Sequence, residues 1–375
     1  MDHAKLSPSS SSRWLSCTKS IEMDALYENP SNTASEWGTN VHYIGELLLK
    51  GENISVGDTL KDGGEYQKEF IVDDEMLDTA LSYSNYVKGF TNKDSKVLIE
   101  ETFDLSFIAP DTFGTGDATV LDGTTLHIFD LKTGRNVVYA KDNSQLKIYA
   151  LGALHLLDDY VEEVILHIVQ TRIGHIDTAE ISVDELMEFQ DFIISQATKI
   201  INGDTEYSPS EKACLWCNHK ANCDELRRYT ENIIKGDFDD ITDIESKGIT
   251  NLHIKQVLDN KNIILSFIKA VEEETERKLL AGETIQGYKV VESRTNRRWD
   301  SENEEKIEKY LVRKLKKEGA YKYSLITPTQ AMKKLDETGK KYVEKLIVKP
   351  KGKPTVVSEN DKRKDICCVN DFDNC

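Results

Sequence analysis

From residue 97 to residue 201 the hydrophobic period switches in a fixed order, and that order restricts the fold more than any other feature of the chain. Residues 97–105 and 115–121 are short, partly alternating runs, and residues 126–131 are apolar up to Asp130. Asp122-Gly123 lies between the last two, a dipeptide that supplies the positive φ of a two-residue hairpin turn. Residues 144–157 then place Leu146, Tyr149, Ala150, Ala153 and Leu157 along one side of a helix. Residues 161–171 and 176–181 read as strands again, and 183–201 as a helix. Such an order suits an α/β fold, a mixed central sheet with helices on its faces.

The flanks are plainer. Residues 1–16 read as a serine-rich loop, 34–50 as a helix carrying Trp37, Val41, Ile44, Leu47 and Leu48, 51–70 as loop and 73–90 as helix. Residues 249–280 read as one long charged helix. Beyond them a strand at 287–292 and amphipathic helices at 304–317 and 327–337 suggest an α+β extension with a loose tail. The expected division is therefore a domain at 1–230, a helical connector at 231–285 and a C-terminal module at 286–375.

Charge separates these parts. The net charge is -18, yet residues 286–365 carry roughly +9 and residues 1–285 roughly -25 by count of ionisable side chains. Within the basic module, Arg294, Arg297 and Arg298 beside Trp299 combine phosphate-binding charge with a stacking surface, the composition of a nucleic-acid contact; a solvated turn has the same composition. No apolar stretch approaches the ~20 residues of a membrane-spanning helix, and the N-terminal residues lack an apolar signal core. A cytoplasmic protein is the expectation.

The chemistry concentrates around the hairpin. Asp117, in Gly114-Thr115-Gly116-Asp117, and Asp130, closing the run of residues 126–129, fall on neighbouring strands. Strand-borne carboxylates can converge on one cation, and oxygen ligands suit Mg²⁺ or Mn²⁺. The backbone carbonyl of Leu131 could add a ligand. Lys132 shares a face with Asp130, because strand side chains repeat every two residues; its ammonium can position water and balance charge on a phosphoryl transition state. His42, one turn after Gly38 in the early helix, offers an imidazole ligand, and Glu46 lies one turn beyond it. Gln145 and Tyr149 share a helix face at i and i+4. Each signal alone is weak; their order and spacing together point to metal-dependent phosphodiester hydrolysis.

Seven cysteines are too few and too unevenly spaced for a disulfide framework. Cys214, Cys217 and Cys223 form C-x2-C-x5-C, and Cys17 can join them from the other end of the domain. Four thiolates hold either Zn²⁺ or an iron–sulfur cluster, and the spacing alone leaves that open. Trp216, between two of them, is expected to shield the site. Cys367, Cys368 and Cys375 lie in an acidic tail that reads as disordered.

His42 in Gly-x-x-x-His, Gly114-x-x-Asp117, Asp130-x-Lys132 and Gln145-x-x-x-Tyr149 resemble the PD-(D/E)XK nucleases of the RecB branch. Residues 130–135 and 143–154 look especially like a phage-encoded family of that branch, with looser likeness at 12–17 and 357–363. The resemblance implies a restriction-endonuclease-like core and a Mg²⁺- or Mn²⁺-dependent deoxyribonuclease leaving 5′-phosphate and 3′-hydroxyl ends. It implies an exonuclease of phage recombination or replication, DNA as partner, phage single-strand-binding or recombination proteins as further partners, and the cytoplasm of an infected host. It makes Glu101 an accessory acid, with Glu100 beside it. One cysteine before the motifs and three after resemble the iron–sulfur nucleases, which implies a [4Fe–4S] cluster at Cys17, Cys214, Cys217 and Cys223, with structural zinc as the alternative. The competing expectation is a nucleic-acid-binding or assembly protein that keeps the fold without cleavage; the intact motif residues count against it.

Overall fold

The computed structural model describes residues 5–27, 33–61, 68–235, 250–289 and 340–341. The chain divides into two units, Met1–Glu283 and Thr284–Cys375. Arg294, Arg297, Arg298, Trp299, the three tail cysteines and the expected α+β extension lie outside the described residues, save for 284–289 and 340–341.

The helices of the first unit are α1 (Ser11–Ser16), α2 (Ser20–Asp24), α3 (Thr33–Leu49), α4 (Asp74–Lys88), α5 (Ser144–Leu157), α6 (Val183–Asn202), α7 (Glu211–Cys214), α8 (Asp224–Lys235), α9 (Asn251–Asp259) and α10 (Lys261–Leu280). The strands are β1 (Thr59–Lys61), β2 (Glu69–Ile71), β3 (Lys96–Asp104), β4 (Phe113–Asp122), β5 (Thr125–Leu131), β6 (Glu163–Gln170) and β7 (His175–Ser182). Strands β3 to β7 form a five-stranded sheet in sequence order, antiparallel except for the parallel pair β5–β6. The parallel pair is required by α5, whose crossover brings the chain back in the same direction. This mixed sheet flanked by helices fits the restriction-endonuclease-like core that the sequence suggested.

Each face of the sheet has its own core. Leu126 and Ile128 of β5 pack with Leu146, Ile148 and Leu151 of α5 and with Ile193 and Ala197 of α6. Phe129 and Leu131 face the other way, onto Val41 and Ile44 of α3 and Ala80 and Tyr83 of α4. The two-residue period of β5 thus separates two helical layers. Gly152 lets α5 come down on β3: a Cβ there would lie 2.6 Å from Phe103 Cβ.

Several local expectations change. Residues 8–16 are helical rather than loop, because Trp14 is fully buried and its indole N–H donates to the Ser7 carbonyl at 3.2 Å. Part of 51–70 pairs as the short hairpin β1–β2. The long helix expected at 249–280 is broken at Asn260, which carries non-helical ψ between α9 and α10. Ile263 of α10 packs on Cys17, Cys214 and Leu226, so this segment closes over the cysteine region.

Candidate metal and phosphodiester site

Both strands of the β3–β4 pair turn over at one point. Pairing runs from Lys96↔Leu121 to Ile99↔Ala118 and resumes at Glu101↔Gly116, omitting Glu100 and Asp117. In an unbroken strand Gly116 and Ala118 would share a face. Here Ala118 belongs to the α3–α4 core, while a Cβ on Gly116 would lie 2.9 Å from the Phe103 ring in the α5 core. Glu100 makes the reversal with φ of 48°, a left-handed conformation uncommon for a residue with a side chain. Strain of this kind is retained where the surrounding structure enforces it, often at functional sites.

The reversal assembles the site. The β4–β5 ladder stops at Ala118↔Phe129, and Asp117 Oδ2 accepts the next available donor, the Leu131 N–H, at 2.6 Å. Leu131 therefore directs its carbonyl to the same edge, since N–H and C=O of an extended residue point one way. Asp117 Oδ1 lies 3.2 Å from His42 Nδ1 on α3. Ligand atoms of His42, Glu100 and Asp117 all fall within 4.8 Å of one another. Glu100, rather than Glu101, is the glutamate in this group. Glu46 instead accepts from Lys50 at 2.6 Å.

Asp130 stands on the α5 side of β5 and is 2% exposed. Lys132 Nζ hydrogen-bonds its Oδ1 at 3.1 Å. The same nitrogen lies 2.8 Å from Oδ2, so the ammonium spans both oxygens of the buried carboxylate. Nζ also donates to Gln145 Oε1 at 2.9 Å, and Gln145 Nε2 donates to the Tyr149 hydroxyl at 3.2 Å. The carboxylate–ammonium–amide–phenol chain therefore links β5 to α5. His42, Asp117, Asp130, Lys132, Gln145 and Tyr149 are all brought to this region.

The charges are interdependent. Burial works against ionisation of His42, but Asp117 outweighs it and raises the imidazole to about 9. Burial, with Asp117 adding to it, raises Glu100 to about 8. Burial also works on Asp117, yet the His42 charge and hydrogen bond and the Leu131 N–H hold it below its usual value. Burial raises Asp130, with Lys132 opposing and Asp117 reinforcing. Lys132 is lifted by Asp130 against its own burial and remains an ammonium at neutral pH. Without a cation the pocket thus carries protons that a cation would displace. Three mixed N/O ligands within reach of each other fit a divalent ion with mixed ligation.

The four cysteines meet at a second place. Cys17, Cys214, Cys217 and Cys223 are free thiols lining one cavity of ≈ 20 Å³ between α2, α7 and α8. The Ser208 N–H donates to Cys17 Sγ and the Leu226 N–H to Cys223 Sγ, each at 3.4 Å. Burial pushes the Cys214 thiol up to about 12, so a cation must displace its proton to bind. Among the described residues no three of these sulfurs lie within 4.8 Å of one another, so the thiols line a shared cavity without forming a close ligand group. Trp216 does not shield the cavity as expected; it is 68% exposed and absent from the lining.

These features define a mixed α/β protein whose restriction-endonuclease-like core carries a His–Glu–Asp cluster at a break in its sheet. The chain belongs to the family described as "Protein of unknown function (DUF2800)", which matches residues 3–364. Among solved structures it is similar to one titled "Crystal structure of SSO0001", at 15% identity with a TM-score of 0.23, over 56% of this chain and 95% of that one. That likeness is too slight to bear on the site. No helix among the described residues is long and apolar enough to cross a membrane.

Sequence reasoning placed the accessory acid at Glu101, with Glu100 beside it. Strand alternation gives no means of choosing between adjacent glutamates when the strand reverses between them. The paired glycines 114 and 116, where a side chain would collide with Pro8 or Phe103, are the signal that β4 is irregular there.

Proposed function

We propose that this protein is a divalent-cation-dependent deoxyribonuclease. The observation that carries the reading is the convergence of His42, Glu100 and Asp117 within 4.8 Å beside the Asp130–Lys132–Gln145 chain. His42, Glu100 and Asp117, with Asp130 and the Leu131 carbonyl at hand, would hold Mg²⁺ or Mn²⁺; when bound, the ion supplies Lewis acidity toward a phosphoryl oxygen and toward water.

The protein's own groups account for the rest. Lys132, fixed by Asp130 and Gln145, presents a positive hydrogen-bond donor where negative charge develops on the phosphate. As an ammonium it orients water or a non-bridging oxygen rather than taking a proton. Tyr149 is held above its ordinary value by burial and stays a neutral phenol; through Gln145 it keeps Lys132 aligned. In-line attack of water on phosphorus breaks the P–O3′ bond and leaves 5′-phosphate and 3′-hydroxyl ends. The motif resemblance supports exonuclease action in phage recombination or replication, with a [4Fe–4S] centre at Cys17, Cys214, Cys217 and Cys223 tying the two ends of the nuclease domain together. Closing so long a loop restricts the unfolded chain and stabilises the fold.

The test is end-labelled DNA, single- and double-stranded, incubated with anaerobically purified protein and Mn²⁺. Degradation to 5′-phosphorylated products, lost in a His42→Ala variant that melts normally, is expected. Intact substrate in every DNA form sinks the proposal and favours a binding or assembly role.

A further inference from the structure

Beside the proposed site lies a groove that shares only Lys132 and Gln145 with the cleavage chemistry. It encloses ≈ 510 Å³ and is walled by α1, the segment before α5, one side of α6 and the cysteine loop. That size is within the ~300–1,000 Å³ of ligand-binding clefts. Lys132 and Gln145 form part of its lining, so it opens onto the phosphodiester site.

Its lining has an unusual composition for an acidic protein. Lys132, Lys141 and Lys212 face it, against one carboxylate, Asp142. Asp142 is already within 3.5 Å of Lys147. Lys141 and Lys212 have no carboxylate partner among the described residues. Three aromatic rings stand in the same lining with much of their surface in water: Tyr139 at 62%, Phe192 at 46% and Trp216 at 68% exposed. Two are held rather than loose. Tyr139 makes an edge contact with His175, centroids 5.7 Å apart. The Trp216 carbonyl accepts from Arg13 at 3.1 Å, and Arg13 is itself anchored to Asp24 at 2.8 Å.

Fixed, exposed rings interleaved with unpaired lysines have one chemistry that satisfies both. Bases stack on the rings while phosphates lie against the ammonium groups. A duplex buries its base faces within its own stack and offers the rings nothing but backbone. We infer that the groove takes a single DNA strand, its bases stacking on Tyr139, Phe192 and Trp216 and its phosphates led past Lys212 and Lys141 to Lys132. The inference rests on the nuclease reading for the choice of DNA and for the end at which the strand is cut. It gives the cysteine loop a second role: the thiol-lined centre fixes the loop that carries Trp216 at the groove.

Binding is read without cleavage, using a short fluorescent oligothymidylate, Ca²⁺ in place of Mg²⁺, and the full chain. Trp216→Ala and Tyr139→Ala each weaken binding by about 5- to 100-fold, the range of one lost stacking contact. Trp216→Phe stays within about threefold of wild type, because it keeps a stacking face. A blunt duplex binds less tightly than the single strand. Both rings are surface groups, so thermal melts of these variants coincide with wild type. Wild-type affinity in both alanine variants, preference for duplex, or preference for an RNA strand of matched sequence overturns the inference. Ring-dependent binding without cleavage under Mn²⁺ keeps it and removes the nuclease reading; cleavage with ring-independent binding does the reverse.

Discussion

Glu100→Gln distinguishes the two glutamates and exposes what an empty metal pocket does to stability. The change is close to isosteric and removes one charge. Burial and Asp117 raise the Glu100 carboxyl from 4.5 to about 8. A carboxyl raised in the folded state keeps its proton while the unfolded chain has released its own, so stability falls as pH rises from 4.5 toward 8 and the loss is complete above that. At ~1.4 kcal/mol per pH unit the loss at pH 7 is at most about 3.5 kcal/mol. Water entering the pocket, where His42 is 32% exposed, reduces it to about 1–3 kcal/mol. Glutamine does not titrate. Metal-free Glu100→Gln therefore melts above wild type at pH 7 to 8 by about 2–4 °C per kcal/mol, and the difference closes at pH 5. Mn²⁺ reverses the order, stabilising wild type and leaving the variant nearly unchanged, and the variant fails to cleave DNA. Glu101→Gln, half-buried opposite Gly116, follows wild type in melting and in cleavage. Coincident metal-free melting curves for Glu100→Gln and wild type, or lost Mn²⁺ response in Glu101→Gln, refute the assignment.

Four further outcomes are expected. Lys132→Met leaves the Asp130 carboxylate buried without its counter-ion; uptake of a proton limits the destabilisation to about 1–3 kcal/mol, while cleavage falls by about 10²–10⁴ in single-turnover assays. Mn²⁺ affinity rises from pH 6 to 9, because the cation displaces protons from Glu100, raised to about 8, and His42, raised to about 9; calorimetry in buffers of different ionisation enthalpy reads the protons released. The His42–Asp117 pair adds stability that is full below pH 6.5 and is lost as pH rises through about 9. Finally, anaerobically purified protein has a broad visible absorbance that dithionite bleaches and that Cys17→Ser removes; a colourless, iron-free protein contradicts the cluster.

Legibility in the sequence followed the strength of local rules. The β4–β5 hairpin was readable from Gly123, which takes φ of 60° in the Gly123-Thr124 turn; Asp122 itself stays in β4 and pairs with Thr125. Helix α5 was readable from its period; the structure adds that the Asn143 side chain caps it by accepting from the Leu146 N–H. Lys132 could be placed beside Asp130 because β5 stays regular up to that point. The exchange of Glu100 for Glu101 was not readable, since it depends on a reversal enforced by two cores on opposite sheet faces. Trp14 hid inside a serine-rich run whose composition suggests loop, and only its burial against the sheet core makes that segment helical. Trp216 was expected to cover the cysteines, but between Cys214 and Cys217 the turn directs both thiols inward and leaves the intervening ring outside. The groove was invisible for the same reason: its lining comes from four segments far apart in sequence.

Anomalous diffraction from crystals soaked in Mn²⁺ locates the ion without relying on turnover. A peak bonded to the His42 imidazole and to the Glu100 and Asp117 carboxylates is the expected result. Millimolar Mn²⁺ with no peak at these three side chains, in crystals that show the ion bound elsewhere, contradicts the account.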